Sequence, residues 1–454
     1  MSSVLLSNCR LVATMDDRQN ELADASIVVE DGWITAVERS RPEGSFDQLV
    51  ECRRFLAIPG LINAHHHLYQ TLTRGFPQSE GKTLFPWLQT LYPIWAGLDV
   101  DMVHASTRTG LAELALSGCT TCADHLYVFP EGSDGFVDAQ VEAARTVGLR
   151  FHATRGSMDL GQSKGGLPPE SVVQAREVIL RDSERAVQAH HDPEPGAMIR
   201  VGLAPCSPFS VTPELMLETA GLARELGVRL HTHLAETVDE EEYSLRKFGV
   251  PPVELLDRVS WLEEDVWLAH CVHLNREDIE RLSTREVSVA HCPTSNMLLS
   301  SGLAPTAQLL AAGVAVGLGV DGSASNDSND LRQEVKQAIL SARARDGASA
   351  LSAREALHLA TRGSARCLGR TDIGCIAPGK AADIVLLDLE SLECAGGRED
   401  PVAIAVLGAP RVHSVMVHGE FVVRDGELTK CDPEEIAQKH IEASARLMQK
   451  WRDG

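Results

Sequence analysis

The 454-residue sequence contains no stretch approaching the roughly 18 to 20 consecutive apolar residues that a membrane-spanning helix needs. Its N-terminus, MSSVLLSNCRLVATM, lacks a basic leader followed by a long apolar core and a small-residue cleavage site, so a cytoplasmic protein is expected. Basic residues are in deficit. The 42 Lys and Arg against 64 Asp and Glu leave a formal net charge of -22, which repels phosphate backbones and anionic membrane surfaces. That excludes polymeric nucleic acid as a partner, though not a free nucleobase. The eleven cysteines form no repeated framework, and reduced, buried thiols are expected rather than a disulfide scaffold. Cys119 and Cys122 spell C-x-x-C, but their setting reads as a strand, where residues three apart face opposite ways. That arrangement argues against chelation or redox pairing.

What is present suits a folded enzyme-sized chain. Hydrophobic residues at 44% and charged residues at 23% are ordinary for a globular protein, and the length suits one large domain with a smaller one. Residues 1–57 carry short β-like runs, with Asp31-Gly32 as a hairpin turn. Similar signals return over 373–431, with turns at His418-Gly419 and Asp425-Gly426. Neither flank alone offers enough strands to bury a face, so the two are expected to form one composite β-sandwich.

Between them, over residues 58–372, β and α signals alternate. Candidate strands end near His67, Asp124-His125, Arg155, Pro205, His233, His270, His291 and Asp321, with amphipathic helices such as 101–117 and 212–226 between them. Eight such units predict an α/β fold of the TIM type, a (β/α)8 barrel, with functional side chains at the C-terminal strand ends. An open doubly wound sheet would need a Gly-rich phosphate turn, which is missing. Residues 432–454 read as a terminal helix packing on the barrel or on a neighbouring subunit of a homo-oligomer. Aromatic residues make up only 4% of the chain, yet Phe76, Phe85, Trp87, Tyr92 and Trp95 cluster just after the first barrel strand. Most are expected to pack, with one or two rings walling a flat pocket.

The first strand runs into Pro59-Gly60-Leu61-Ile62-Asn63-Ala64-His65-His66-His67, where strand alternation turns His65 and His67 one way and His66 the other. Two imidazoles side by side are half of a site for a divalent metal. Taken alone, a polar strand end explains them too. A second pair, His231 and His233, is followed by Glu236. His233 is assigned as a ligand and Glu236 as a proton shuttle, against the alternative of a solvated loop carboxylate. The apolar run Val266–Ala269 ends in His270, either a ligand or a neighbour of the metal, whereas His273 and His291 are left structural. Asp321 ends a very apolar strand and must be paired or metal-bound, a helix-capping role being the competing reading.

The series P-G-L-I-N-A-H-H-H, H-T-H-L-A-E, L-A-H-C-V-H, H-C-P-T-S-N and G-V-D-G-S-A-S-N resembles the amidohydrolase superfamily, in its branch of cytosine and guanine deaminases with chlorohydrolases. That resemblance covers nearly the whole chain. It implies one divalent metal, zinc or iron, held by His65, His67, His233 and Asp321, with His270 beside it and Glu236 as acid and base. Two-metal members use a carboxylated Lys or an acid from the third or fourth strand, and those strands here offer neither, so one metal is expected.

Gln70 stands where guanine deaminases carry a purine-reading Gln, but their Pro-Arg-Phe-Ser run appears as Ser207-Pro208-Phe209-Ser210, without the arginine. Segments 70–74, 84–95, 154–158 and 204–214 resemble the bacterial 8-oxoguanine deaminases of this branch. The implied reaction is 8-oxoguanine plus water to urate and ammonia, with Gln70 and Arg155 reading ring carbonyls. For Arg155 a salt bridge within the barrel is the competing reading. The alternatives are a triazine or other aminoheterocycle deaminase or chlorohydrolase, and a catalytically silent barrel used for binding or assembly. A nucleic-acid-editing deaminase is excluded by the missing H-x-E and P-C-x-x-C pattern.

Overall fold

The computed structural model describes residues 3–40, 42–130, 133–408 and 410–453. Eight parallel strands close into a barrel: Leu61–Asn63, Cys119–Leu126, Arg150–Ser157, Ile199–Pro205, Leu230–Leu234, Val266–His270, Ser288–His291 and Val316–Leu318. Nearly every residue in them is buried, as expected for strands walled by side chains inside and helices outside. The first and eighth strands stop at Asn63 and Leu318, short of the expected ends at His67 and Asp321. Beyond the eighth strand Asp321 takes a left-handed φ of 63°. The two ends stay zipped nonetheless, through Ala64 N to Leu318 O at 2.8 Å and Asp321 N to His65 O at 3.2 Å.

The two expected helices lie at Val100–Leu116 and Pro213–Leu226. Asp99 caps the former by accepting from Met102 N, and Thr212 caps the latter by accepting from Leu215 N, with Pro213 at its first position.

Nine strands from the two ends of the chain form the second, composite sheet. Its seam is Phe55–Pro59, which pairs antiparallel with Ile384–Asp388 in the register Ile384↔Pro59. Leu6, Ile27, Val29 and Phe55 from the N-terminal part share a core with Ile384, Leu386 and Met416 from the C-terminal part. The turns Asp31-Gly32, His418-Gly419 and Asp425-Gly426 have positive φ at both positions, the backbone of tight hairpins. Two of them pack on each other so closely that a Cβ on Gly419 would lie 2.9 Å from Gly32 Cα. A buried ion pair, Arg150 Nε to Asp383 Oδ2 at 2.7 Å, ties this sheet to the barrel.

The terminal helix, Pro433–Asp453, packs on the barrel side. Ser444 Oγ donates to Leu72 O at 2.7 Å and His440 Nε2 to Thr71 O at 3.0 Å, which braces the 3-10 turn Leu68–Thr73 directly after His67. Among the described residues no helix is long and apolar enough to cross a membrane.

A candidate metal centre and active site at the barrel mouth

Three imidazole nitrogens and one carboxylate oxygen converge above the strand ends. His67 Nε2 lies 3.1 Å from His233 Nε2, and Asp321 Oδ1 lies 3.3 Å from His67 Nε2 and 3.4 Å from His65 Nε2. Tetrahedral zinc with ligands at roughly 2.0–2.1 Å would set its donor atoms about 3.3 Å apart. The donor set therefore fits one such ion.

Each ring is oriented by its other nitrogen. His67 Nδ1 donates to His125 O and His233 Nδ1 to Cys206 O, both at 2.6 Å. His65 Nδ1 contacts His231 Nε2 at 2.7 Å. These contacts leave the Nε2 lone pairs facing the centre, and His65 Nε2 is buried without a hydrogen-bond partner. Burial holds His65 and His233 well below the usual imidazole pKa and lowers His67 as well, so all three are neutral. Burial alone would raise the Asp321 carboxyl, but the His65 contact and the surrounding imidazoles hold it well below the usual carboxylate range. Gly319 makes the approach possible, because a Cβ there would fall 2.6 Å from the Cβ of His65.

Glu236 and His270 stand beside this cluster. His270 Nε2 is 3.5 Å from Glu236 Oε2 and 3.9 Å from Asp321 Oδ2, while its Nδ1 donates to Asn296 Oδ1 at 2.9 Å. Burial pushes the Glu236 carboxyl up to about 7, with Asp321 and Glu240 adding to the rise against the pull of His270. It can therefore hold or release a proton near neutrality. Burial disfavours charge on His270, yet Glu236 and Asp321 bring its pKa above the ordinary value. The backbone is left-handed at Ala235, His270 and Asp321, with φ of 49°, 71° and 63°. Such strain is costly and persists where neighbours enforce it. At Ala235 the enforcer is Glu240, whose carboxylate accepts from the amides of Ala235 and Glu236, both at 2.9 Å.

A small cavity of about 30 Å³ opens over these groups. Gln70 lines it, buried and with Oε1 unpaired. Of the five clustered aromatics only Trp87 lines it; its Nε1 donates to Ala324 O at 3.2 Å. Trp95 bonds Thr73, Tyr92 bonds Met158, Phe85 meets Phe209 and Phe76 meets Trp451, so the remainder pack as expected.

Arg155 corrects the substrate-contact assignment. It does not line the cavity: Nε donates to Asp182 Oδ2 at 2.9 Å, NH2 to Gln174 Oε1 at 2.8 Å, and the guanidinium lies 3.8 Å over the Phe129 ring. Strand alternation turns it outward, towards the helix Arg176–His190 that carries Asp182. The barrel salt bridge is the reading that holds. His66 likewise faces away from the cluster and bonds Asn329 Oδ1 at 2.8 Å. His273 bonds Ser301 O, and Cys119 and Cys122 are free and buried on the second barrel strand.

Several further residues at the site make contacts that the local sequence does not mark. Tyr127, Cys206, Leu299 and Ser325 line the cavity, and Asn296 reaches His270. His125 sits among the ligand candidates, its donor atom within 4.8 Å of those of His65, His67 and His233, and stacks on His233 at 4.7 Å. Its place at a strand end was the only clue. Glu240 stood three residues after Thr237, the spacing of a helix-capping motif.

Comparison with known proteins extends these observations. The model of the amidohydrolase family matches residues 56–422. An 8-oxoguanine deaminase of Pseudomonas aeruginosa is 46% identical over 428 residues, 94% of this chain and 95% of that protein. A hydroxydechloroatrazine ethylaminohydrolase of Pseudomonas sp. is 36% identical over 96% of this chain and 94% of its own length. An atrazine chlorohydrolase from Arthrobacter aurescens TC1, solved with zinc, superposes with a TM-score of 0.93 at 35% identity, covering 97% of this chain and 100% of its own. By sequence along four fifths of its length and by fold along nearly all of it, the chain belongs to the amidohydrolase family and is a hydrolase acting on C–N bonds.

Proposed function

We propose that the chain is a one-metal, cytoplasmic aminohydrolase of a free nucleobase, and that its substrate is 8-oxoguanine, converted with water to urate and ammonia. The observation that carries the deaminase reading is Glu236, a buried carboxyl poised near pH 7 within 3.5 Å of His270 and beside the His and Asp cluster. A divalent ion held by His65, His67, His233 and Asp321 would supply Lewis acidity and bring the pKa of a water molecule close to neutrality. Glu236 takes the first proton of the attacking water and donates it to a ring nitrogen, which makes the amino-bearing carbon electrophilic. His270, fixed by Asn296, orients the oxygen that attacks this carbon. Asp321 accepts the remaining proton of that oxygen and passes it to the amino group, which leaves as ammonia as the carbonyl of urate forms.

Two features support a neutral, flat substrate. Trp87, Tyr127, Phe209, Leu84, Leu88 and Leu299 give the cavity apolar walls, and no Arg or Lys is among the described residues that line it. Gln70, which lines the cavity with an unpaired buried oxygen, is the residue we assign to read a ring edge. The similarity to an 8-oxoguanine deaminase points to the same base. The test is ammonia release by the zinc-loaded protein given 8-oxoguanine, guanine, isocytosine, cytosine and an aminotriazine in parallel. Preference for 8-oxoguanine, lost by about 100-fold or more in Glu236→Gln, is the expected result. Preference for another base would remove the substrate assignment.

A second reading, hydrolysis of an amino- or chlorotriazine, is favoured by the 0.93 TM-score to the atrazine chlorohydrolase. In the same assay it would appear as preference for the triazine.

A further inference from the structure

Of the three candidate imidazole ligands, two are oriented by main-chain carbonyls, His67 by His125 O and His233 by Cys206 O. Those acceptors belong to the backbone and no side-chain substitution removes them. His65 is different, because its Nδ1 meets a side chain, His231 Nε2, at 2.7 Å. The direction of that bond is determined one step further back. His231 Nδ1 lies 2.8 Å from Trp267 O, and a carbonyl oxygen only accepts, so the His231 proton is on Nδ1. Its Nε2 then holds a lone pair and accepts from His65 Nδ1–H. The His65 proton is thereby kept on Nδ1, and Nε2, otherwise unpartnered, is left as a lone pair 3.4 Å from Asp321 Oδ1. The His231 ring is itself held by stacking on Trp267 at 4.4 Å and 13°. Trp267 Nε1 in turn donates to Ala64 O, the residue before His65, at 3.1 Å. The chain thus runs from Trp267 on the sixth barrel strand through His231 on the fifth to His65, just past the end of the first, and leaves no freedom in either tautomer.

We propose that His231 is a positioning residue that fixes the tautomer of His65 and presents its Nε2 lone pair to the metal. The proposal rests on the reading of the cluster as a metal centre, and it goes beyond the ligand set itself. His231 contacts neither substrate nor metal; it acts through His65. A group holding a ligand by its second nitrogen is worth about 10- to 100-fold in metal affinity.

The test compares wild type with three full-length variants, each stripped of metal and titrated with zinc against a chromophoric chelator. Melting of the metal-free proteins is measured alongside. In His231→Gln the amide oxygen can take the place of Nε2 and accept from His65, so zinc affinity is expected within about threefold of wild type. His231→Leu removes the acceptor, and zinc should bind about 10- to 100-fold more weakly. His231→Asn keeps a donor for Trp267 O but leaves His65 without an acceptor, and it should behave as the Leu variant does. That substitution keeps the test open where Leu prevents folding. Wild-type affinity in His231→Leu or His231→Asn would overturn the proposal, as would a loss in His231→Gln as large as in His231→Asn. Wild-type protein that binds no zinc at all would instead defeat the reading of the metal centre.

Discussion

Asn296 holds His270 from behind: its Oδ1 accepts the Nδ1–H of His270 at 2.9 Å, and this sets the opposite nitrogen 3.5 Å from Glu236 and 3.9 Å from Asp321. Asn296 lies on the short helix Pro293–Leu298, inside the H-C-P-T-S-N motif. The neighbouring Ser295 Oγ bonds Ser325 Oγ at 3.0 Å, and Ser325 Oγ lies 3.4 Å from Asp321 Oδ2. One short element thus braces two groups of the candidate site. Asn296→Ala should lower kcat by about tenfold or more, because small misplacements at a reacting centre are expensive. Zinc content, measured by metal analysis, should stay at the wild-type level. A kcat unchanged in Asn296→Ala would remove His270 orientation from the mechanism.

Trp87 is the one ring of the aromatic cluster that faces the cavity, and it is latched by its indole N–H to Ala324 O. Trp87→Phe keeps a ring but deletes the bond, whose loss costs about 1 kcal/mol. Steady-state kinetics should show a raised KM with kcat little changed, and calorimetry a melting temperature only a few degrees lower. A large drop in melting temperature with normal KM would show that Trp87 serves packing alone.

Arg155 is wholly buried and gives its donors to Asp182 and Gln174. Arg155→Ala leaves Asp182 with Arg185 as its remaining partner and removes the stacking on Phe129, a loss of about 2 kcal/mol in unfolding free energy. Chemical denaturation should register that loss. The ratio of 8-oxoguanine to guanine turnover should be unchanged, and a shifted ratio would return Arg155 to substrate recognition.

Asp124 is buried beneath the site, accepting from Leu68 N and Gln140 Nε2, both at 2.6 Å, and burial pushes its carboxyl up to about 7. In the unfolded chain the same carboxyl ionises near its ordinary value of 3.8. Between these two values the folded state holds a proton the unfolded state has lost. Its contribution to stability therefore falls as pH rises from about 4 to about 7 and is level above that. Asp124→Asn removes the titration. Its amide can donate to Gln140 Oε1, which has no partner in the wild type, once the Gln140 amide turns over. Denaturation across this pH range should give a flatter profile for the variant, and identical profiles would refute the assignment.

Much of the site was legible because its signals are local. The H-x-H spacing of His65 and His67, the strand-end positions of His233 and His270, and the apolar run closed by Asp321 each need only a few residues of context. The same holds for the turns Asp31-Gly32, His418-Gly419 and Asp425-Gly426, whose residue types specify their backbone. The eight strands and their order followed from alternating β and α signals, with the ends of the first and eighth placed too late.

Contacts between distant segments had no such trace. Strand periodicity states that Arg155 faces one side, but the side itself depends on how the barrel closes, and closure put it against Asp182. Asn296 meets His270 across 26 residues of chain, and His231 meets His65 across 166. Residue order along the chain sets which types end the strands, and with them a barrel that carries imidazoles and carboxylates at its mouth. Which nitrogen of each imidazole faces inward and which acceptor holds the other follows from the folded arrangement alone, because a hydrogen bond is set by distance and direction in space and not by separation along the chain.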